Sequence, residues 1–75
     1  MEQMFVKGSV LSMENLMLKI NRVKMGLNES EAAVLARMKK ENYIDIENNA
    51  VEPKLNDMLS ISNAFHKSID DLFNW

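Results

Sequence analysis

Apolar residues recur at helical spacing in the first half of the chain. Four of them, at successive separations of four, three and four positions, are Leu16, Ile20, Val23 and Leu27. This spacing places them on one face of an α-helix, and we predict a first helix from Met13 that buries this face. Gly26 is expected to end the helix, because glycine readily adopts the left-handed conformation common after a helix.

A second helix is predicted by the residues that follow. Asn28 and Glu31 have the spacing of a capping box, in which Asn28 accepts a backbone N–H and Glu31 reaches back to the backbone of Asn28. We expect this helix to extend to about Arg37 and a third helix to run from about Lys40 to Glu47. All three helices are short.

The C-terminal part of the chain predicts two more helices. Pro53 marks the entry to a fourth helix, and Ser68 can cap a short last one. The fold class is therefore predicted to be all-α. The side chains expected to be buried together are Leu16, Ile20, Val23, Leu27, Ala33, Ile46, Leu55, Leu59, Phe65 and Leu72.

The sequence Ile-Glu-Asn-Asn at positions 46–49, shortly before Pro53, and Ser-Ile-Asp-Asp-Leu-Phe at 68–73 carry a family resemblance. With these segments the chain resembles a Cro/C1-type (XRE family) helix-turn-helix domain, in register without a gap from Gly26 to Phe73. The resemblance implies a compact five-helix, lambda-repressor-like DNA-binding domain over residues 13–75. Residues 1–12 are expected to form a short N-terminal arm or a small hairpin.

Two registers are open for the first half of the chain. The ungapped register puts Ala32 at an inward family position and leaves Val34 and Leu35 outside. Shifting the first half by two residues instead puts Ile20, Val23, Val34 and Met38 at core positions, but shortens the turn between the second and third helices. We prefer the ungapped register, in which Tyr43 and Ile46 point inward.

The resemblance also implies which residues contact DNA, because the family places its third helix in the major groove. Carried over by position, the DNA-binding candidates are Arg37, Lys39, Lys40, Glu41, Asn42 and Asp45. The two lysines can neutralise phosphates or donate to guanine, and Asn42 has the paired donor and acceptor that the edge of adenine requires. These residues favour a small bacterial or phage transcription regulator that binds operator DNA as a homodimer.

Several residues depart from the family pattern and keep a second interpretation open. Glu29 stands where the family often has glutamine against the DNA backbone, and Glu41 and Asp45 add negative charge to the third helix. Arg37 replaces a turn glycine. The alternative is an antirepressor or modulator that binds a protein, such as another repressor, through Val34, Leu35 and Ile44.

Composition limits the classes of protein function that remain open. The 75 residues carry a net charge of −2, with basic residues concentrated before position 41 and acidic residues after it, which suits a domain with one face towards phosphates. Without cysteine and with one histidine, His66, the chain predicts no metal site and no cofactor. No catalytic residue set can be assembled, so we expect no enzyme. No membrane span is predicted, and a cytoplasmic location is expected.

Overall fold

The computed structural model describes residues 15–73, and this part of the chain contains five α-helices and no β-strand. The helices are α1 (Leu16–Lys24), α2 (Glu29–Leu35), α3 (Lys40–Glu47), α4 (Leu55–Phe65) and α5 (Ile69–Phe73). The predicted all-α class is confirmed. Helix α2 is shorter than expected and ends before Arg37, whereas α3 has the predicted bounds.

Side-chain caps fix where the first two helices begin. The Asn15 side chain accepts a hydrogen bond from the Leu18 amide at 3.4 Å. At the start of α2 the predicted capping box is present: Glu31 N–H donates to the Asn28 side chain and Asn28 N–H donates to the Glu31 carboxylate, each at 2.8 Å. Gly26, with φ of +73°, reverses the chain between the two helices as expected.

Three non-glycine residues adopt the left-handed conformation at helix ends and turns. They are Arg37 (φ 59°), Asn49 (φ 61°) and His66 (φ 56°). For residues with a side chain this conformation costs free energy, least for asparagine. The chain therefore adopts the left-handed conformation at three positions without glycine.

The core lies where the five helices meet. Its buried apolar side chains are Leu18, Ala32, Ala33, Ala36, Tyr43, Ile46, Met58, Ile61, Phe65 and Leu72. Ala32 is fully buried while Val34 and Leu35 are exposed, so the ungapped register is confirmed. Four members of the expected core (Ala33, Ile46, Phe65 and Leu72) are buried as predicted, and Leu27 packs partly buried against it.

The prediction of which face of α1 is buried is wrong. Leu16 and Val23 are each 57% exposed, and Ile20 is exposed as well. The helix instead buries its opposite side, where Leu18 and Arg22 are separated by one turn. Periodicity alone did not identify this side, because its second member is an arginine whose charge is neutralised by a residue far along the chain.

The predicted contribution of α4 needs a similar correction. Leu55 and Leu59 were expected in the core but are exposed, and the buried side chains are Met58, Ile61 and Phe65. These three recur at separations of three and four residues and define one face. Leu55 and Leu59 belong to the neighbouring face, which no other described helix covers.

None of the helices within residues 15–73 is long and apolar enough to cross a membrane. The arm or hairpin predicted for residues 1–12 lies outside the described residues. The bounds of the predicted domain, 13–75, stay a prediction.

Candidate nucleic-acid interface

Helix α3 is held in place by a buried polar network on its inner face. Glu47 at the end of α3 accepts two hydrogen bonds from the Arg22 guanidinium, from Nε at 2.8 Å and from Nη2 at 2.9 Å. The hydroxyl of Tyr43 donates to the same carboxylate at 2.7 Å. The third guanidinium nitrogen, Nη1, donates to the Leu27 carbonyl at 2.9 Å. The network therefore joins α1, the α1–α2 turn and α3.

The electrostatics of this network follow from its burial. The pKa of Arg22 is raised chiefly by its hydrogen bond to Glu47, although desolvation acts in the opposite direction. Burial also raises the pKa of the Tyr43 phenol well above its usual value, and the neighbouring Glu47 adds to the shift. Tyr43 consequently stays a neutral hydrogen-bond donor over the physiological pH range.

The backbone reinforces the same junction. The amide of Asn15, just before α1, donates to the carbonyl of Glu47, at the C-terminal end of α3. The start of α1 and the end of α3 are thus linked by a main-chain bond as well as by the Arg22–Glu47 ion pair. Because Tyr43, Ile46 and Glu47 all face inward, the orientation of α3 relative to the rest of the domain is fixed.

The outward side of α3 presents the candidate DNA contacts. Lys39, Lys40, Glu41 and Asn42 are exposed in one continuous stretch at the N-terminal end of the helix, and Asp45 is half-buried one turn further on. Lys39 is the N-cap residue, and its side chain makes no capping hydrogen bond. Five of the six candidates predicted from the sequence are therefore brought together on a single helix end.

The charge on this surface is not uniform. A shallow cleft of about 210 Å³ between α3 and the start of α4 is lined by Asn42 and by the carboxylates of Asp45, Glu52 and Asp57, with Lys54 as its one basic residue. A phosphate placed in this cleft meets mostly negative side chains. The end of α3 that carries Lys39 and Lys40 is the part of this helix suited to phosphates.

Arg37, the sixth candidate, lies in the turn before α3 and not on the helix itself. It is exposed in the turn between α2 and α3 and lines a second shallow groove, together with Leu35 on α2 and Ser60, Asn63 and Ala64 on α4. This groove does not include Asn42 or Asp45.

The residues of the protein-binding alternative are also divided between two places. Val34 is 75% exposed and Leu35 is 49% exposed, and both line an almost wholly apolar groove with Leu27, Ser30 and Glu31. Ile44 is half-buried on α3 and does not line this groove. A protein partner could contact Val34 and Leu35 together without contacting Ile44.

Glu29 is the first residue of α2, as predicted from the family pattern. Its carboxylate is half-buried at a helix N-terminus, where the macrodipole stabilises negative charge. The same position would attract a phosphate if the side chain were neutral. Glu29 therefore stabilises α2 while opposing a DNA backbone at this helix end.

Sequence reasoning assigned no role to Arg22 and Glu47, which hold α3 in place. Glu47 was part of the motif that carried the family resemblance. Arg22 lies on the side of α1 that was predicted to face outward, so no local pattern indicated this pair. The described residues contain no group of histidine, cysteine or acidic side chains that could hold a metal ion.

Comparison with known proteins assigns the family. A family model described as helix-turn-helix matches residues 18–72, which span all but the first residues of α1 and the last residue of α5. No curated protein and no solved structure gives a significant match to the chain. The matched segment contains the network, α3 and every candidate contact. The chain belongs to the Cro/C1-type (XRE) helix-turn-helix family of DNA-binding transcription regulators.

Proposed function

We propose that this regulator binds duplex DNA through the N-terminal end of α3, using Lys39, Lys40 and Asn42. The observation that carries the proposal is the division of α3 into two sides. Tyr43, Ile46 and Glu47 anchor the inner side, and the basic and amide side chains are exposed on the outer side. A rigidly held helix with free polar side chains meets the requirement for reading base edges in a major groove.

Each exposed side chain has a distinct role in this proposal. Lys39 and Lys40 neutralise phosphates beside the groove, or donate to guanine, and Asn42 pairs with the edge of adenine. Glu41 and Asp45 disfavour phosphates but can accept from the amino group of cytosine. Arg37, in the turn before α3, would contact the DNA backbone at the border of the site rather than a base.

The proposal includes a homodimer acting in the cytoplasm of a bacterial cell. A domain with one short recognition helix reaches only a few base pairs. Two copies related by a two-fold axis double this number and match a palindromic operator. Most members of the family are regulators without enzymatic activity, and we propose no reaction for this chain.

The decisive experiment is a titration of random-sequence duplex DNA at several salt concentrations, read by fluorescence anisotropy. Lys39→Ala and Lys40→Ala should each weaken binding and lower the salt slope by about one. Lys67→Ala, which removes an exposed lysine beyond the C-terminal end of α4, is the matched control and should change neither quantity. Absence of DNA affinity at low salt would reject the proposal.

The exposure of Val34 and Leu35 supports a second candidate, an antirepressor that binds another repressor protein. Two large apolar side chains beside each other on a short helix are typical of a protein-binding surface. In this case Ile44 would contact the partner at the edge of the protein interface, and the acidic residues of α3 would face a basic surface on the partner. The second candidate keeps the fold but replaces DNA with protein.

Glu29→Gln separates the two candidates. It removes the negative charge at the start of α2 and keeps the shape of the side chain, so DNA affinity should rise by about 1 kcal/mol if a phosphate lies there. The antirepressor predicts no gain in DNA affinity and a weaker complex with the repressor. Anisotropy with DNA, and release of a Cro/C1-type repressor from its operator, measure the two outcomes.

A further inference from the structure

The outward face of α1 is an apolar stripe that the core does not use. Leu16, Ile20 and Val23 are exposed and recur at separations of four and three residues. They lie opposite Leu18 and Arg22, which the helix buries. A stripe of this spacing is the pattern by which one helix packs against another.

Helix α2 carries a second apolar surface. Val34 and Leu35 line a groove of about 340 Å³ together with Leu27, which is partly buried. Leu27 follows the end of α1 in a tight turn, in which its amide donates to the Arg22 carbonyl and the Gly26 amide donates to that of Val23. This turn joins the Val23 end of the α1 stripe to Leu27 in the groove of α2.

The two helices bear opposite charges around these apolar residues. Helix α1 contains Lys19, Arg22 and Lys24, and it has no acidic residue. Helix α2 contains Glu29 and Glu31 and has no basic residue. One chain thus supplies both halves of a complementary pair, a basic apolar surface and an acidic one.

We propose that this α1–α2 face is where two copies of the chain associate, with α1 of each copy packed on α2 of the other. Such an interface is isologous and closes as a dimer. Charge favours this reciprocal arrangement, because pairing α1 with α1 would bring lysines together and pairing α2 with α2 would bring glutamates together. The inference rests on the proposed function in that it gives the dimeric regulator its subunit interface.

The first test measures the dimer dissociation constant of the full-length protein by sedimentation, without DNA. Leu16→Gln and Val34→Gln should each raise it by about tenfold or more, because they place an amide in the apolar contact. Leu55→Gln and Val51→Gln are matched controls: these side chains are 59% and 46% exposed but lie outside the face. A monomeric wild-type protein, or controls that weaken the dimer as much as the test variants, would overturn the proposal.

A double-mutant cycle tests the charge pairing across the interface. Lys24→Glu should weaken the dimer strongly in the wild-type background and several-fold less in the Glu31→Gln background, since the glutamate it would repel is then neutral. Glutamine also serves in a capping box, so Glu31→Gln leaves the start of α2 intact. Independent effects of the two changes would overturn the reciprocal arrangement.

Failure of the interface and failure of the proposed function give different results. A wild-type monomer that binds DNA through Lys39 and Lys40 would reject the interface alone. A dimer that Val34→Gln dissociates, with no affinity for DNA at low salt, would support the interface and reject DNA binding. Sedimentation and anisotropy on the same preparations distinguish the two.

Discussion

The helices before α3 and the helices after it reach their stability by different means. Helices α4 and α5 bury large apolar side chains: Met58, Ile61, Phe65 and Leu72. Helix α2 buries only Ala32 and Ala33, with Ala36 buried at its C-cap, and α1 buries Leu18 and an ion-paired arginine. Helices α4 and α5, the rear part, are stabilised mainly by buried apolar volume. Helices α1 and α2, the front part, are stabilised by close approach of backbones and by the polar network to α3.

This difference assigns separate tasks to the two parts. Alanines let α2 approach α3 closely but contribute little apolar area, so α2 leaves Val34 and Leu35 free on its outer side. Contacts of small apolar side chains do not specify how α3 is oriented. The directional hydrogen bonds of the Arg22–Glu47–Tyr43 network fix this orientation. Stability and orientation of the recognition helix α3 can therefore be perturbed separately by substitution.

The largest effect should come from breaking the network on the front side. Glu47→Ala leaves the Arg22 guanidinium buried without its carboxylate, and a loss of about 3–5 kcal/mol in unfolding free energy is expected. Urea denaturation followed by circular dichroism measures it. The control replaces the whole network by apolar side chains, Arg22→Met with Tyr43→Phe and Glu47→Leu, and should recover most of the loss. No recovery would show that the charges stabilise the fold on balance.

The stability of the rear part should instead depend on the buried apolar volume that a substitution removes. Ile61→Ala removes a fully buried side chain from α4 and should cost about 2–5 kcal/mol. Leu59→Ala, two residues away in the same helix, removes a side chain that is 43% exposed, and the expected cost is about 1 kcal/mol or less. The same urea experiment compares the pair. Equal costs would contradict the assignment of the buried face of α4.

A pH titration tests the Arg22–Glu47–Tyr43 network without removing a charge. The folded state raises the pKa of Tyr43, so its contribution to stability is complete below the unfolded pKa of about 10 and is lost as pH rises above it. Wild-type protein should lose up to about 1.4 kcal/mol per pH unit there relative to Tyr43→Phe. Tyr43 is the only tyrosine, so the difference between the two stability curves reports this one group. Parallel curves above pH 10 would contradict its burial.

The smallest effect is expected at two residues in the left-handed conformation, Arg37 after α2 and His66 after α4. Arg37→Gly and His66→Gly remove side chains at φ of 59° and 56° and should each stabilise the protein, by about 0.5–1 kcal/mol. Only Arg37→Gly should weaken DNA binding if Arg37 contacts the backbone. Thermal unfolding and anisotropy measure both variants. Equal DNA affinities would remove Arg37 from the proposed site.

Local chemistry made much of the fold predictable from the sequence. The capping box at Asn28 and the left-handed turn at Gly26 each depend on a few neighbouring residues, and both are confirmed, as are the bounds of α3. The inward direction of Tyr43 and Ile46 followed from the family register and is also confirmed. The outer side of α3 could be anticipated for the same reason, since the remaining residues had to face outward.

The buried side of α1 was not predictable from local pattern. Leu16, Ile20 and Val23 formed the more regular apolar face, yet α1 buries Leu18 and Arg22. Arg22 is suited to the interior only because Glu47, 25 residues later, pairs with it. Periodicity describes one helix at a time, whereas this choice depends on a contact between two helices. The network behind α3 was missed for the same reason.

Heat acts on the Arg22–Glu47 pair differently from the way it acts on the apolar interior. The hydration of charged groups becomes less favourable as temperature rises, so withdrawing the guanidinium and carboxylate from water costs less in a warm protein than in a cold one. Apolar stabilisation per unit area reaches a plateau over the same range. Within the folded domain, the attachment of α3 to α1 therefore gains in relative strength on warming.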